Sequence, residues 1–249
     1  TTARREGDNY VINGRKCFIS NAGAADFYTV FARTGEREDG RAELSAFVVS
    51  ARMQGFRVRE RTRLLAPHPI GELEFDGVRV PAEDRVGAEG QGFRLAMQTM
   101  DMFRASVGAA ACGMARRALD EAIAHAKGRV QFGRPLAEQQ LVQAKLAEMQ
   151  TTLDAARLLV YRAAYLKDTS RPDPERAGAT SQTRAASEAK LFATETAQRV
   201  IDEAVQIHGG RGLVHGSRVE RLYRDIRALR IYEGTSEIQK LIIAREVLK

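Results

Sequence analysis

The chain has 249 residues, 44% of them hydrophobic, so it can bury one large core or two smaller ones, and we expect two domains. A formal charge of +7 fits an anionic partner such as a nucleotide, a phosphorylated cofactor or nucleic acid without choosing among them. Cys17 and Cys112 show no metal-ligand spacing, which disfavours a disulfide framework or a zinc site and predicts two buried, reduced thiols. The sequence contains no run of about 18 apolar residues, so no membrane span is predicted.

The first third of the chain, from Asn9 to about Val80, has short β-branched and aromatic runs separated by turns, such as YVING, FYTVFAR and LSAFVVS. This pattern predicts a β domain over residues 1–88. Asn13 and Gly14 lie between two such runs. Because a type I′ turn needs two residues that tolerate positive φ, this pair predicts a tight hairpin.

After Gly92 the apolar residues recur every three or four positions, which predicts a helical domain over residues 89–249. The first helix runs to the sequence HAKG over about 35 residues, or about 50 Å. Gly209 and Gly210 are predicted to cap a later helix. Further helices are predicted over residues 136–166, 182–208 and 236–248.

The polar sequence KDTSRPDPERAGAT is predicted to link the second of these helices to the third. Long helices joined by short polar segments are typical of an up-down four-helix bundle. The predicted fold class is therefore α+β, a small β-barrel or sandwich-like domain followed by that bundle.

One carboxylate, Glu233, lies in the sequence LRIYEGTSEIQ just before the last predicted helix. Ser236 and Gln239 form a capping-box pattern that predicts the start of this helix. Carboxylates are favoured near helix N-termini because of the helix dipole. Taken alone, the pattern leaves two interpretations open: an ordinary charge at a helix entry, or a base positioned for chemistry.

Three patterns place glycine beside polar or aromatic residues at helix boundaries: IYEGTSEIQ, GRVQFGRPLAEQQ at 128–140 and QIHGGRG at 206–212. Free backbone N–H groups and the helix dipole at such boundaries can bind a phosphate. Each pattern by itself also fits an ordinary helix cap.

Together with KCFISN, FDGVRVPAED and MDMFRASVGAAACGMARRALDEA, these patterns resemble the acyl-CoA dehydrogenase family over nearly the whole chain. Six motifs in the family's order are more specific than any one of them. The resemblance implies an oxidoreductase of fatty acid metabolism, with FAD between a β domain and a helical bundle and across a subunit boundary. It also implies a homotetramer, built as a dimer of dimers. The Arg- and Ala-rich composition leads us to expect a cytoplasmic location.

In that family a first helical domain, ending in a flavin-binding segment, precedes the point that matches Thr1. We therefore expect that an N-terminal helical domain is missing from this chain. A truncated chain, proteolysis and a split enzyme whose other chain supplies the missing half all remain open. So does the question of whether these residues alone bind FAD.

The resemblance matches Glu233 to the base that removes the α proton of an acyl-CoA thioester, while flavin N5 accepts the β hydride and a trans-2-enoyl-CoA forms. Another branch of the family has its base directly before the arginine of MDMFR. This chain has Phe103 there, which cannot ionise, so Glu233 must be the base if the chain is a dehydrogenase. Phe103 is interpreted either as narrowing the acyl cavity or as an ordinary core aromatic.

Other residues match the family's cofactor contacts. Phe18, Ile19 and Ser20 match a strand against the flavin ring, although an ordinary alternating strand fits them equally. The remaining matches, several of them typically reaching FAD of the neighbouring subunit, are Arg129, Gln131, Phe132, Gln140, Gln206, Gly209, Gly210, Thr235, Ser236 and Glu237.

Substrate contacts are implied for Asp101, Arg104 and Gly234, the first two on the CoA part, with an intrahelical ion pair as the alternative for Asp101 and Arg104. The implied partners are an acyl-CoA substrate and an electron-transferring flavoprotein as electron acceptor. The four histidines lack metal-ligand spacing, so no metal site is predicted.

Three other functions remain open: an acyl-CoA oxidase, a non-catalytic subunit of a heteromeric dehydrogenase, and a basic module that binds nucleic acid. The last depends only on charge. Arginines recur every three residues from Arg218 to Arg230, interleaved with Glu220 and Asp225. This run is more typical of a solvated, salt-bridged face, and we expect no nucleic-acid partner.

Overall fold

The computed structural model describes residues 1–169 and 181–249, so most of the predicted linker lies outside the described residues. The chain divides into two compact units, Thr1–Thr99 and Met100–Lys249. Strands fill the first and helices the second, which confirms the predicted α+β class. The domain boundary between residues 88 and 89 stays a prediction.

Seven strands of the first unit form one mixed sheet in the order β5-β6-β2-β1-β3-β4-β7. Neighbouring strands are antiparallel except β1 and β3, which are parallel. Alternate side chains bury one face, where Tyr10, Ile12 and Phe47 are inaccessible to solvent. The strands are β1 Thr2–Glu6, β2 Asn9–Ser20, β3 Phe27–Glu36, β4 Ala42–Ser50, β5 Phe56–Thr62, β6 Ile70–Pro81 and β7 Arg85–Val86.

The predicted hairpin at Asn13 and Gly14 is wrong, because β2 runs through both residues. Gly14 has a φ of 128° and the pairing with β6 shifts there, because Asn13 lies opposite two residues of β6, Asp76 and Gly77, which form a β-bulge. The Asn13 side chain accepts a hydrogen bond from the Gly77 N–H at 2.8 Å. The tight hairpin lies earlier, where Gly7, with a φ of 62°, and Asp8 join β1 to β2.

Both cysteines are free, but only Cys112 is buried. Cys17 is exposed, so the prediction of two buried thiols is wrong for this residue. The reason is a bulge in β2, where the pairing with β6 shifts between Lys16 and Ile19 and Cys17 leaves the regular alternation of the strand.

The described residues form five α-helices, of which four and the larger part of α1 lie in the second unit. They are α1 Gly92–Gly128, α2 Gln140–Thr169, α3 Gln182–His208, α4 Arg218–Leu229 and α5 Ser236–Val247. Helix α1 begins in the first unit. A short hairpin of β8 Val130–Gln131 and β9 Arg134–Pro135 connects α1 to α2. Residues 136–138 form a 3-10 turn, so α2 begins four residues later than predicted.

The core of this unit is rich in alanine. Ala111, Ala115 and Ala118 on α1 belong to a buried cluster that also contains residues of α2, α3 and α4. Gly108 continues this line of small residues, since a Cβ there would lie 2.9 Å from Val160 Cγ2. Small side chains allow the helices to approach closely. Within the described ranges, no helix is long and apolar enough to cross a membrane.

The sequence analysis predicted a salt-bridged face for the arginine run that begins at Arg218, but it did not predict helix α4 there. Ser217 caps its N-terminus by accepting a hydrogen bond from the Glu220 N–H. Arg218 pairs with Glu121 at 2.7 Å, and Arg224 pairs with Glu220 at 2.5 Å. Arg218 and Arg224 therefore form part of the predicted salt-bridged face.

Candidate active site

The turn between α4 and α5 carries Glu233. Helix α5 begins at Ser236, as predicted, but its N-cap is one residue earlier than the capping-box pattern indicates. Thr235 is the N-cap, because its hydroxyl accepts a hydrogen bond from the Ile238 N–H at 3.4 Å. Ser236 is the first helical residue, and its buried hydroxyl donates to Glu195 at 2.5 Å. The predicted capping box at Ser236 is therefore wrong, since that hydroxyl is committed to α3.

The backbone at Glu233 is strained. Glu233 has a φ of 56° and Gly234 a φ of 88°. A residue with a Cβ in the left-handed region costs about 1–2 kcal/mol relative to the right-handed one. Such a conformation persists only where surrounding contacts enforce it, and it is found often at functional sites.

Three buried side chains hold the two carbonyl groups of this strained segment. Gln239 Nε2 donates to the Glu233 and Gly234 oxygens, at 3.0 Å each. Lys190 Nζ donates to the Gly234 oxygen at 2.8 Å, and Arg104 Nε donates to the Glu233 oxygen at 3.4 Å. The exposed fractions of Gln239, Lys190 and Arg104 are 0%, 0% and 3%. Buried side chains of α5, α3 and α1 thus hold the backbone of the turn in place.

Arg104 is itself fixed by an ion pair. Its Nη1 lies 2.7 Å from Asp101 Oδ1, which confirms the intrahelical pair left open above. Asp101 Oδ2 accepts a hydrogen bond from the Thr183 hydroxyl at 2.6 Å, joining α1 to α3. Contacts of Asp101, Arg104 and Gly234 with substrate stay predictions.

The charges around Glu233 oppose each other. Burial raises the pKa of the half-buried Glu233 carboxyl, against the charges of Arg104 and Lys190, which lower it. Burial, helped by the charge of Arg104, lowers the pKa of Lys190 to about 8, against the charges of Glu233 and Glu195. The carboxyl group is therefore a stronger base than one in water.

Phe103 lies beside Arg104 in the sequence and is 47% exposed. The interpretation of Phe103 as an ordinary core aromatic is wrong, because the side chain faces away from the buried stripe of α1. Its predicted effect on the acyl cavity stays a prediction.

Apart from the three residues at the start of α5, the predicted cofactor residues of the helical unit lie between the end of α1 and the start of α2 or at the end of α3. The rings of His125 and His208 stack with centroids 4.3 Å apart, which brings the C-termini of α1 and α3 together. Phe132, in the turn between β8 and β9, is 91% exposed at a φ of 54°. The other exposed residues of this group are Arg129, Gln140, Gln206, Gly209 and Gly210.

Several residues of the predicted set have specific partners. The Gln131 carbonyl accepts a hydrogen bond from Gln139. Gly209 caps α3, as predicted, with its N–H donating to the Gln206 carbonyl. Glu237 is exposed in the first turn of α5, where hydrogen bonds from its own backbone N–H and from Thr235 lower its pKa.

In the first unit, Phe18 departs from the alternating strand that was the other interpretation. It has a φ of 55° and is 70% exposed, in the bulge of β2 between Lys16 and Ile19. Ile19 packs against the sheet core, and the Ser20 hydroxyl lies 3.0 Å from His68 Nε2. The bulge therefore exposes the aromatic ring of Phe18 to solvent.

These features fit the requirements of a flavin dinucleotide. Phe18 and Phe132 are exposed aromatics at strained positions, and a Cβ at Gly209 or Gly210 would have no neighbouring atom within 4 Å. Such glycines let a ligand approach the backbone. Arg129 is an exposed guanidinium of the kind that binds phosphate through two hydrogen bonds.

Two residues of the site, Lys190 and Gln239, have roles that the sequence analysis missed. Lys190 falls four residues after Ala186 and three before Ala193, both buried, so its position on the inward face of α3 could have been recognised. Gln239 was assigned only to a capping box. Nothing in the sequence indicates that both side chains reach the same turn.

We expect Gly234→Ala to destabilise the protein by about 2 kcal/mol, because a Cβ would lie 2.8 Å from Gln239 Nε2 in addition to the cost of positive φ. Gly216→Ala is the matched control: its φ is 85°, but a Cβ there meets no atom within 4 Å. It should cost about 1 kcal/mol. Urea unfolding of both variants measures the difference, and equal losses would contradict the steric role of Gln239.

Fold and site together define a class of protein, one in which a β domain precedes a helical domain that holds a strained glutamate at a helix entry. The domain description "Acyl-CoA dehydrogenase, C-terminal domain" matches residues 90–248, and "Acyl-CoA dehydrogenase, middle domain" matches residues 1–78. The chain belongs to the acyl-CoA dehydrogenase family.

Individual relatives agree with this assignment. The chain is 43% identical over its whole length to 3-(aryl)acrylate reductase of Clostridium sporogenes and 42% identical to cyclohexane-1-carbonyl-CoA dehydrogenase of Geobacter metallireducens. The structure of butyryl-CoA dehydrogenase from Megasphaera elsdenii matches all of it with a TM-score of 0.92 at 40% identity. The chain covers 64%, 63% and 63% of these proteins, less than two thirds of each.

Proposed function

We propose that this chain supplies the base and part of the cofactor contacts of an FAD-dependent acyl-CoA dehydrogenase. The observation that carries the proposal is the Glu233 turn, in which a half-buried carboxylate is held in a strained conformation by three buried side chains. The direction of its pKa shift supports the role of a base.

Glu233 removes the α proton of the acyl thioester in this proposal. A carboxylate in water is a weak base, and burial against an apolar acyl chain strengthens it further. The N-terminus of α5 acts in the opposite direction, because its dipole stabilises the ionised form. The charges of Arg104 and Lys190 also favour the ionised form.

FAD, when bound, supplies the acceptor for the β hydride. Arg129, Gln206 and the backbone at Gly210 would hold its pyrophosphate and adenosine, and Phe18 and Ser20 would contact the ring system. Arg129 is suited to phosphate because its planar fork forms paired hydrogen bonds. Exposed Phe132 covers the apolar edge of the nucleotide in this proposal.

Family membership also suggests the substrate and the assembly of this protein. We propose an acyl-CoA substrate, assembly as a homo-oligomer and a cytoplasmic location. A structure reported under the name of the electron-transferring flavoprotein of Acidaminococcus fermentans matches the chain with a TM-score of 0.92, which supports an electron-transferring flavoprotein as the electron acceptor.

A second direction of the same chemistry is favoured by two relatives. These are 3-(aryl)acrylate reductase and the acryloyl-CoA reductase (NADH) of Anaerotignum propionicum, which is 42% identical over 97% of the chain. Their names describe reduction of the double bond that a dehydrogenase forms. In this direction Glu233 would deliver a proton to the α carbon.

An absorbance spectrum of the purified protein tests the proposal. We expect flavin bands, or their recovery after FAD is added, and anaerobic bleaching by a saturated acyl-CoA. Reoxidation by an electron-transferring flavoprotein identifies a dehydrogenase, whereas hydrogen peroxide formed in air identifies an oxidase. Flavin that no acyl-CoA bleaches indicates a non-catalytic subunit, and flavin-free protein that DNA retains at low salt would indicate a nucleic-acid module.

A further inference from the structure

Lys190 is one of two buried cations among the described residues, the other being Arg104. Its side chain is inaccessible to solvent, within the alanine-rich face of α3. A buried ammonium group loses its hydration, which is costly unless a specific contact compensates. An apolar residue would fill this position at lower cost, so the charge requires an explanation other than packing.

The ammonium group of Lys190 contacts the backbone of the Glu233 turn. It lies 2.8 Å from the Gly234 oxygen, directly after the strained residue. No carboxylate of the described ranges forms an ion pair with it, in contrast to Arg104, which has Asp101. The lysine therefore acts on a peptide group and, at longer range, on the carboxylate of Glu233.

The backbone contact determines the direction of the Glu233 side chain. The orientation of the Gly234 carbonyl depends on the torsions of Glu233 and Gly234, both of which have positive φ. Because these torsions are intrinsically unfavourable, loss of a hydrogen bond at Gly234 releases the turn toward ordinary conformations. A shift of about 1 Å in a reacting group is enough to slow catalysis strongly.

The charge of Lys190 acts on the same residue. It favours ionised Glu233, together with Arg104 on α1. The charged groups that in turn act on Lys190 are Arg104, Glu233, Glu195 on α3 and Arg230 after α4. Glu195 is bound by Ser236 and Arg230, so Glu233 is the carboxylate left for Lys190 to stabilise.

We infer that Lys190 is a positioning residue for the proposed base: its ammonium group holds the Gly234 carbonyl and its charge keeps Glu233 ionised. The inference rests on the proposed function of Glu233. It assigns Lys190 two separable effects, one on the geometry of the turn and one on the pH dependence of the reaction.

Three substitutions in the flavin-loaded protein separate these effects. Lys190→Met removes both the donor and the charge, Lys190→Gln keeps a donor without charge, and Lys190→Arg keeps the charge. Lys145→Met is the matched control, because Lys145 pairs with Glu203 between α2 and α3 away from the turn. Glu233→Gln is measured in parallel to report on the proposed function.

For Lys190→Met we expect kcat for acyl-CoA oxidation to fall about 10- to 100-fold, with KM changed less than about threefold. The acidic limb of kcat/KM should move to higher pH by roughly half a unit or more, because Glu233 loses a neighbouring positive charge. Lys190→Gln should show the same displacement with a smaller rate loss. Lys190→Arg should leave the limb in place, and Lys145→Met should match the wild type.

A second readout does not depend on activity. The pKa of Lys190 is about 8 in the folded protein and 10.5 without the fold, so the unfolded state binds more protons between these values. Stability of the wild type relative to Lys190→Met should therefore rise from about pH 8 to about pH 10.5, measured as the difference in urea midpoint. A flat difference would show that folding does not change the pKa of Lys190, and therefore that its ammonium group is not desolvated at the turn.

The outcomes distinguish the two proposals. Wild-type rates and an unmoved limb in both Lys190→Met and Lys190→Gln, with Glu233→Gln inactive, would overturn the inference and leave the proposed function intact. A rate loss without any pH displacement would reduce Lys190 to a structural role. If Lys190→Met does not fold, Lys190→Gln and Lys190→Arg still decide the matter. Retained activity in Glu233→Gln would refute the proposed function itself.

Discussion

Glu233→Gln should slow flavin reduction by a saturated acyl-CoA about 10³-fold while leaving the flavin bands of the protein unchanged. Glutamine has the shape of glutamate but cannot accept a proton at useful pH. The side chains that hold this turn do not bind the Glu233 carboxylate, because Gln239, Lys190 and Arg104 all donate to backbone carbonyl groups. The turn should therefore keep its conformation in the variant.

Stability provides an internal check on this variant. Burial raises the pKa of Glu233, so between its usual value of 4.5 and the raised one the folded state binds more protons than the unfolded state. The stability contributed by this group is therefore lost as pH rises through the raised pKa. At pH 7 the urea midpoint of Glu233→Gln should equal or exceed that of the wild type.

Two further variants complete this experiment. Glu233→Asp keeps the carboxylate but withdraws it by one methylene, and we expect a loss of about 10²-fold. Glu148→Gln, at an exposed position of α2, should bleach at the wild-type rate. Rapid bleaching of Glu233→Gln by stopped-flow absorbance would remove Glu233 from its proposed role, whatever the result with aspartate.

Arg104→Met should lower the free energy of unfolding by about 3 kcal/mol. The substitution leaves Asp101 mostly buried without its cation and removes one donor to the Glu233 carbonyl. A carboxylate that loses its partner costs more than the pair itself contributes, because its desolvation is no longer compensated. Urea denaturation at pH 7 measures the loss.

The same helix supplies the control for Arg104. Arg116 on α1 is 37% exposed and its nearest carboxylates are 3.9 Å away, so Arg116→Met should cost less than about 1 kcal/mol. Adding Asp101→Asn to Arg104→Met should recover part of the stability, because it removes the unpaired charge. A double variant as unstable as Arg104→Met alone would assign the loss to packing instead.

The sequence predicted the long elements well, because their signals are local and repeated. The apolar period that begins after Gly92 predicted α1, and the glycines after His208 predicted the end of α3. Local signals failed where a neighbouring strand or helix decided the outcome. Asn13 and Gly14 lie within a strand, opposite a bulge of β6, because β2 pairs with β6 on both sides of them. Ser236 lost its predicted capping role to Thr235 because its hydroxyl donates to Glu195.

By itself the sequence determined the family, the order of its β and helical parts, and Glu233 as the candidate base, since motifs in a fixed order carry that information. Only the tertiary structure decided how Glu233 is held. Lys190, Arg104 and Gln239 come from three helices separated by long stretches of chain, and they meet at one turn because those helices pack together. No periodicity records such a meeting, because the contacts depend on distances between elements and the sequence lists only their order.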